Sequence, residues 1–122
     1  MKENRMKGTT FELEHMHADQ SRFEEAAYLL RALGNEIRLR VIMQLALQEE
    51  MSVSELMCKT GCEQSLLSHH LTDMRAKGIL SCRRSGKNSF YSIKDRRIVN
   101  VLKCVMKCGS DLTLQEGSET LN

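Results

Sequence analysis

Apolar residues recur three and four positions apart through residues 20–77, which is the period of an amphipathic α-helix. The pattern predicts four helices: Gln20–Leu33, one capped by Asn35, a short one begun by Ser52 or Ser54 and running to Lys59, and one over residues 63–77. A glycine follows the first, third and fourth, because glycine takes the positive φ of a helix end at little cost. Ser52 and Glu55 also have the spacing of a capping box.

From residue 79 the apolar period changes from helical to alternating, as in a half-buried strand. Strands are predicted over residues 79–84 and 89–93, around a Ser-Gly-Lys-Asn hairpin turn. Asp95 then begins a last helix that runs to about Cys108. The sequence therefore predicts a mainly α fold with a small β-hairpin, comprising an N-terminal arm (1–17), one domain (18–108) and a polar tail (109–122).

The short third helix, its glycine turn and the amphipathic fourth helix form a helix-turn-helix pattern, whose second helix fits the DNA major groove. The hairpin that follows adds a basic wing, so the whole reads as a winged helix-turn-helix. We expect the fourth helix to turn Leu66, Leu67, Leu71 and Met74 inward. The candidate contacts to double-stranded DNA are Gln64, Ser65, Ser68, His69, Thr72 and Arg75 on the helix, and Arg83, Arg84, Lys87 and Asn88 on the hairpin.

The net charge of +2 hides a strong segregation of charge along the chain. Residues 75–107 contain ten basic residues and one acidic residue, whereas residues 1–74 contain eight basic and twelve acidic ones. The tail from residue 109 has three acidic residues and no basic one. A basic surface confined to the helix and hairpin is typical of a nucleic-acid binder, although a solvated basic face without a partner would show the same segregation.

Several motifs resemble the ArsR/SmtB family of repressors. They are the run Leu66-Leu67-Ser68-His69-His70-Leu71, then Lys77-Gly78-Ile79-Leu80, the turn Arg83-Arg84-Ser85-Gly86-Lys87, the strand Phe90-Tyr91-Ser92-Ile93, and upstream the segment from Arg31 to Leu39. The resemblance covers roughly residues 20–108. It implies a homodimer formed mainly by the first and last helices, which represses an operator until a metal, a metalloid or a thiol-reactive species releases it.

The sensing residues of that family are matched poorly here. Its metalloid site has a C-x-C pair where this sequence has Ser52 and Ser54, and its zinc site has a histidine where this sequence has Arg97. Its persulfide-sensing branch has a cysteine in the second helix, where this sequence has Met43 and Gln44. The resemblance therefore leaves the inducer open, and no resident cofactor is required.

Two cysteine pairs are the remaining candidates for sensing. Cys104 and Cys108 lie four apart on the last helix, so both thiols face one side and could bind As(III), Cu(I), Zn or Cd, or react with reactive sulfur or an oxidant. The alternative is inert packing at the dimer contact. Cys58 and Cys62 form a second pair beside the turn; the alternative there is a core position for Cys58 and an exposed one for Cys62. Cys82, in the first strand, is expected to be structural.

Adjacent histidines on a helix point about 100° apart, so His69 and His70 are not expected to share one ion. We expect His69 to contact DNA and His70 to be partly buried and hydrogen-bonded.

Other functional classes find little support in the sequence. It has no phosphate-binding loop, no G-x-S-x-G and no H-E-x-x-H, so it is not expected to be an enzyme. No apolar run is long enough to cross a membrane and no signal peptide is recognisable, so we expect a cytoplasmic protein without membrane contact. Two alternatives stay open: a DNA-binding regulator with no inducer site of its own, and a protein–protein adaptor built on the same fold.

Overall fold

The computed structural model describes residues 13–14 and 19–107. Most of the predicted arm, all of the predicted tail, and Cys108 lie outside these residues. The chain divides into two compact units, Met1–Ala32 and Leu33–Asn122.

Helix α1 (Gln20–Leu33) supplies most of the described part of the first unit, and its bounds confirm the prediction. Asp19 precedes the helix, and its carboxylate accepts hydrogen bonds from the backbone N–H of Ser21 at 3.2 Å and from the Ser21 hydroxyl at 2.6 Å. Such a side chain satisfies a backbone donor that the first turn of a helix leaves without a partner. The large apolar residues Phe23, Tyr28 and Leu30 are exposed.

The second unit contains helices α2 (Glu36–Leu47), α3 (Val53–Thr60) and α4 (Gln64–Ala76), and a last helix α5 described over residues 97–107. Asn35 begins α2, since its side-chain oxygen accepts from the N–H groups of Ile37 and Arg38. The predicted capping box at Ser52 and Glu55 is confirmed, with both reciprocal hydrogen bonds present. Local side-chain hydrogen bonding therefore sets where these helices start.

The strands form a three-stranded antiparallel sheet in the order β1 (Met51–Ser52), β3 (Asn88–Ile93), β2 (Leu80–Ser85). The hairpin prediction is confirmed, and no strand end differs from its predicted position by more than one residue. Ser85 pairs with Asn88 across a two-residue turn, and Gly86 has a φ of +63°, as the first central position of a type II′ turn requires. Strand β1 was not predicted, because two residues are too short to show an alternating period.

One continuous apolar core lies between the helices and the sheet of the second unit. Its fully buried side chains are Val41, Ile42, Leu45, Met51, Leu56, Leu67, Leu71, Met74, Ile79, Leu80 and Ile98. The prediction that Leu66 faces inward is wrong, since 45% of this residue is exposed. The buried stripe of α4 is Leu67, His70, Leu71 and Met74, at the spacing i, i+3, i+4, i+7, and it leaves Leu66 on its margin.

The start of α5 also differs from the prediction. The helix begins at residue 97 and not at Asp95. Asp95 lies just before it as a capping side chain, and its carboxylate accepts from the backbone N–H of Arg97 at 3.0 Å.

Candidate nucleic-acid interface

The buried stripe of α4 leaves a polar face of this helix toward solvent. Positions 64, 68 and 72 form a polar row whose members lie one turn apart, on the flank of α4 next to the buried Leu71 and opposite to His70 and Asp73. Gly61, with a φ of +70°, ends α3 and turns the chain into α4. This turn sets the angle at which the polar row is presented.

The wing meets that polar row across a groove of about 360 Å³. Six of the ten candidate DNA contacts line it together: Gln64, Ser68 and Thr72 from α4, and Arg84, Lys87 and Asn88 from the hairpin. The start of α3, with Ser52, Ser54 and Met57, supplies another wall, and Tyr91 of β3 also lines the groove. Three segments separated in the sequence thus contribute to one concave polar surface.

Three further candidates on α4 lie outside this groove. Ser65, His69 and Arg75 are exposed on the same helix, so they extend the polar surface beyond the groove walls. The Ser65 hydroxyl donates to the carboxylate of Glu63, which precedes the helix. Their assignment as DNA contacts stays a prediction.

Arg83 differs from its neighbour Arg84 in position and in partners. Its guanidinium donates two hydrogen bonds to the Glu50 carboxylate, at 3.0 and 2.7 Å, and lies 4.8 Å from the centre of the Phe90 ring. These hydrogen bonds and the positive charge of Arg83 lower the pKa of Glu50. Because successive side chains of a strand alternate between faces, Arg84 lines the groove and Arg83 does not.

A charged cluster between α2 and α4, buried at Arg38 and His70 and half-buried at Asp73 and Lys77, was not anticipated from the sequence. Arg38 of α2 is 9% exposed; its Nε donates to Nδ1 of His70 at 2.9 Å, and its guanidinium forms an ion pair with Asp73 at 2.7 Å. Lys77 donates to the same Asp73 oxygen at 2.8 Å. The sequence signal for this cluster is an arginine in the buried stripe of α2, at positions 38, 41, 42 and 45.

The cluster shifts the pKa values of both of its α4 residues. The hydrogen bond from Lys77, followed by the contacts with Arg38, lowers the pKa of Asp73, which is therefore ionised. Burial, and then the positive charges of Arg38 and His69, lower the pKa of His70, whereas Asp73 acts in the opposite direction. The prediction of a partly buried, hydrogen-bonded His70 is confirmed.

The cysteines occupy different environments. Cys58 is exposed and Cys62 is buried, which is the reverse of the packing alternative, because Leu56 and Thr60 take the inward positions of α3. Cys82 is half-buried and lies opposite Tyr91 in the β2–β3 ladder. Burial, and then Cys82, raise the pKa of Tyr91. Cys104 is exposed on α5.

At the positions where the resembled family binds metals, the residues of this chain are not suited to hold a metal ion. Ser52 caps α3 through its hydroxyl, and Arg97 forms an ion pair with Asp95 at 2.7 Å. Within residues 13–14 and 19–107, no three histidine, cysteine or acidic side chains come close enough together to hold an ion. In the same residues, no helix has the length and apolar character needed to cross a membrane.

Comparison with known proteins agrees with this architecture. Residues 35–81 match the family profile described as bacterial regulatory protein, arsR family. The chain is 32% identical over 84 residues to the uncharacterized HTH-type transcriptional regulator MJ1325 of Methanocaldococcus jannaschii, which covers 69% of this chain and 94% of that protein. It is 33% identical over 89 residues to the HTH-type transcriptional repressor SmtB of Mycobacterium tuberculosis, covering 72% of this chain and 65% of that protein.

Among solved structures, the transcriptional repressor BigR from Xylella fastidiosa superposes with a TM-score of 0.70 and 30% identity, covering 78% of this chain and 93% of that one. The helix-turn-helix, the wing and the similarity to these relatives all indicate the same family. The chain belongs to the ArsR/SmtB family of winged helix-turn-helix transcriptional repressors, which are DNA-binding regulators and not enzymes.

Proposed function

We propose that this protein binds operator DNA as a homodimer, with α4 in the major groove and the wing against the flanking phosphates. The observation that carries the proposal is the groove lined jointly by the polar row of α4 and by the tip of the wing. Amide and hydroxyl side chains such as Gln64 and Ser68 have the length and chemistry to hydrogen-bond base edges. The separation of roles follows: α4 reads sequence, and the wing supplies affinity.

The charges of the wing support this division. Arg84 and Lys87 are exposed, and neither forms an ion pair with another residue of the described ranges. Their positive charges are therefore available to neutralise phosphates, which releases counterions and makes binding depend on salt.

The homodimer is the second element of the proposal. A symmetric pair would place two copies of α4 in successive major grooves about 34 Å apart, on an imperfect palindrome. Exposed apolar side chains that a partner could cover occur on α5, at Val105 and Met106, and in the first unit on α1, at Tyr28 and Leu30. Burying such residues in a partner is a common source of stability for a small domain.

The third element is release by a thiol-directed inducer at Cys104 and Cys108. Cys104 is exposed, and Cys108 follows it four residues later in the sequence, with Lys103 and Lys107 adjacent to the two cysteines in the chain. Ligation of As(III), Cu(I), Zn or Cd, or modification by reactive sulfur or an oxidant, would then change the angle between the two copies of α4. The alternative is a regulator that has no inducer site and leaves DNA by competition.

The test starts from DNA that the protein itself selects from a random-sequence pool. Binding of that duplex is measured by fluorescence anisotropy at several salt concentrations, and the size of the complex by sedimentation. We expect a dimer bound to a two-fold site, with affinity falling steeply as salt rises. A monomer in the complex, or no duplex binding at low ionic strength, would contradict the proposal.

The inducer is tested on the same complex with arsenite, Zn(II), Cu(I) and polysulfide in turn. Release by one of these agents, lost in the double variant Cys104→Ser with Cys108→Ser, is the expected outcome. Cys58→Ser serves as the matched control, because Cys58 is also exposed but lies on α3. No release by any agent would favour the regulator without an inducer site.

A further inference from the structure

The recognition helix is contacted from behind by one arginine of α2. Arg38 reaches two residues of α4 that are almost one turn apart, His70 at 2.9 Å and Asp73 at 2.7 Å. By the 100° rotation per residue, these two positions lie on the side of α4 opposite to the row of Gln64, Ser68 and Thr72. Any movement of this contact is therefore transmitted to the residues that face DNA.

The contact with His70 requires one protonation state. The Nε–H of arginine is a donor and arginine stays charged, so Nδ1 of His70 must carry a lone pair to accept from it. His70 is therefore neutral, with its proton on Nε2. A second proton would have to bind at Nδ1, which would remove the acceptor and place an imidazolium against the guanidinium.

We propose that Arg38 is a positioning residue for α4 that depends on a neutral His70, so that proton uptake by His70 weakens DNA binding. The inference rests on the proposed function, in which α4 reads DNA. Three charged or titratable groups bear on His70: Arg38 from α2, and His69 and Asp73 from α4 itself. Asp73 remains a carboxylate when His70 titrates, since Lys77 and Arg38 lower its pKa.

A second proton on His70 would change the relative position of α2 and α4. Arg38 would keep its ion pair with Asp73 but would be repelled by the imidazolium beside it, so the helix has to move to separate the two cations. The polar row lies on the same rigid helix, and base contacts depend on hydrogen-bond distances that tolerate only small displacements. Loss of affinity in acid follows from the geometry.

The experiment compares wild type with His70→Asn, whose amide oxygen can accept from Arg38 but does not titrate. Dissociation constants are measured from pH 7.5 to pH 5 on the duplex that wild type selects at pH 7.5. The quantity of interest is the ratio of the wild-type constant to the variant constant.

We expect the ratio to rise by at least about fivefold toward pH 5, the lower end of typical coupling between sites. Arg38→Met should bind weakly already at pH 7.5 and lose the acid effect. Arg40→Met is the matched control, because Arg40 is on the same helix but exposed, paired only loosely with Glu36 at 3.5 Å, and it should behave like wild type. A ratio that stays constant with pH, or an equal effect of Arg40→Met, overturns the inference.

A second measurement does not depend on whether the variants fold. In ¹⁵N NMR spectra of the wild-type protein, Nδ1 of His70 should show the shift of an unprotonated nitrogen at pH 7.5. A protonated Nδ1 at that pH would overturn the inference directly. Failure of wild type to bind any duplex at pH 7.5 contradicts the proposed function instead, so the two failures are distinguishable.

Discussion

Arg83 and Arg84 are neighbours in the sequence with the same charge, and the structure predicts that they contribute differently to DNA binding. Arg84 lines the groove shared with α4, whereas the guanidinium of Arg83 is paired with Glu50 and stacked on Phe90. A phosphate contact by Arg84 would release counterions from DNA. Arg83 is already paired with Glu50, so we expect it to contribute little to counterion release. Substituting each by alanine therefore separates a DNA contact from an internal ion pair.

The magnitude follows from the salt dependence. Each phosphate contact contributes about 0.9 to the slope of log K against log salt, and a homodimer makes each contact twice, so Arg84→Ala should reduce the slope by about 1.8. Between 50 and 200 mM salt, wild type should therefore lose roughly 12-fold more affinity than Arg84→Ala. Arg83→Ala should keep the wild-type slope. The assay is fluorescence anisotropy at four or more salt concentrations on one selected duplex.

A lysine pair on the same hairpin region provides the control. Lys87 lines the groove and Lys94, which follows β3, does not, although both are exposed. Lys87→Ala should reduce the slope as Arg84→Ala does, and Lys94→Ala should leave it unchanged. If Arg83→Ala reduced the slope as much as Arg84→Ala, the assignment of opposite faces to opposite roles would be refuted.

Three further outcomes are expected. Gln64→Ala should weaken binding to the selected duplex by about 1–3 kcal/mol while leaving binding to unrelated duplexes nearly unchanged, which a competition titration would measure. Ser52→Ala removes one hydrogen bond of the capping box and should lower the free energy of unfolding by about 1 kcal/mol in urea titrations, and an unchanged free energy of unfolding would contradict the cap. His70 should make wild type less stable as pH falls, because its pKa in the folded state lies below the unfolded value of 6.5. Its contribution to the free energy of unfolding is fully present above pH 6.5 and is lost as pH falls from there toward the folded-state pKa. His70→Asn should lack this component in thermal melts compared at pH 7.5 and pH 5.

The sequence sufficed for the architecture because its signals are local. The caps at Asn35 and Ser52 and the turns at Gly61 and Gly86 act within a few residues, so each could be recognised before any tertiary contact was known. The alternation of side chains in the hairpin likewise follows from its own sequence. Most residues of the candidate groove could be predicted for the same reason, because the polar row of α4 follows from the helical period of the sequence.

The remaining features depend on contacts between distant segments. Leu66 is apolar yet exposed, and the burial expected of His70 depends on a hydrogen bond from Arg38, 32 residues earlier, a partner that the sequence does not indicate. The ion pair between Glu50 and Arg83 spans 33 residues, and strand β1 exists only because β3 pairs with it. None of these partners is visible from a local period.

These long-range contacts share one geometric role, since they fix the two walls of the groove, α4 and the wing, relative to α2 and to the segment that follows it. Arg38 links α4 to α2, while Glu50 and strand β1 link the wing to the segment that follows α2. Both links therefore start from the same helix and its immediate C-terminal segment. Because α4 and the wing are both attached to α2 or to the segment that follows it, a displacement of α2 would move both walls of the groove together. A change in only one of the two ion pairs would move one wall relative to the other. Protonation of His70 acts at the link between α2 and α4 alone, so it should reduce chiefly the sequence-reading contacts of α4 and leave the phosphate contacts of the wing largely unchanged.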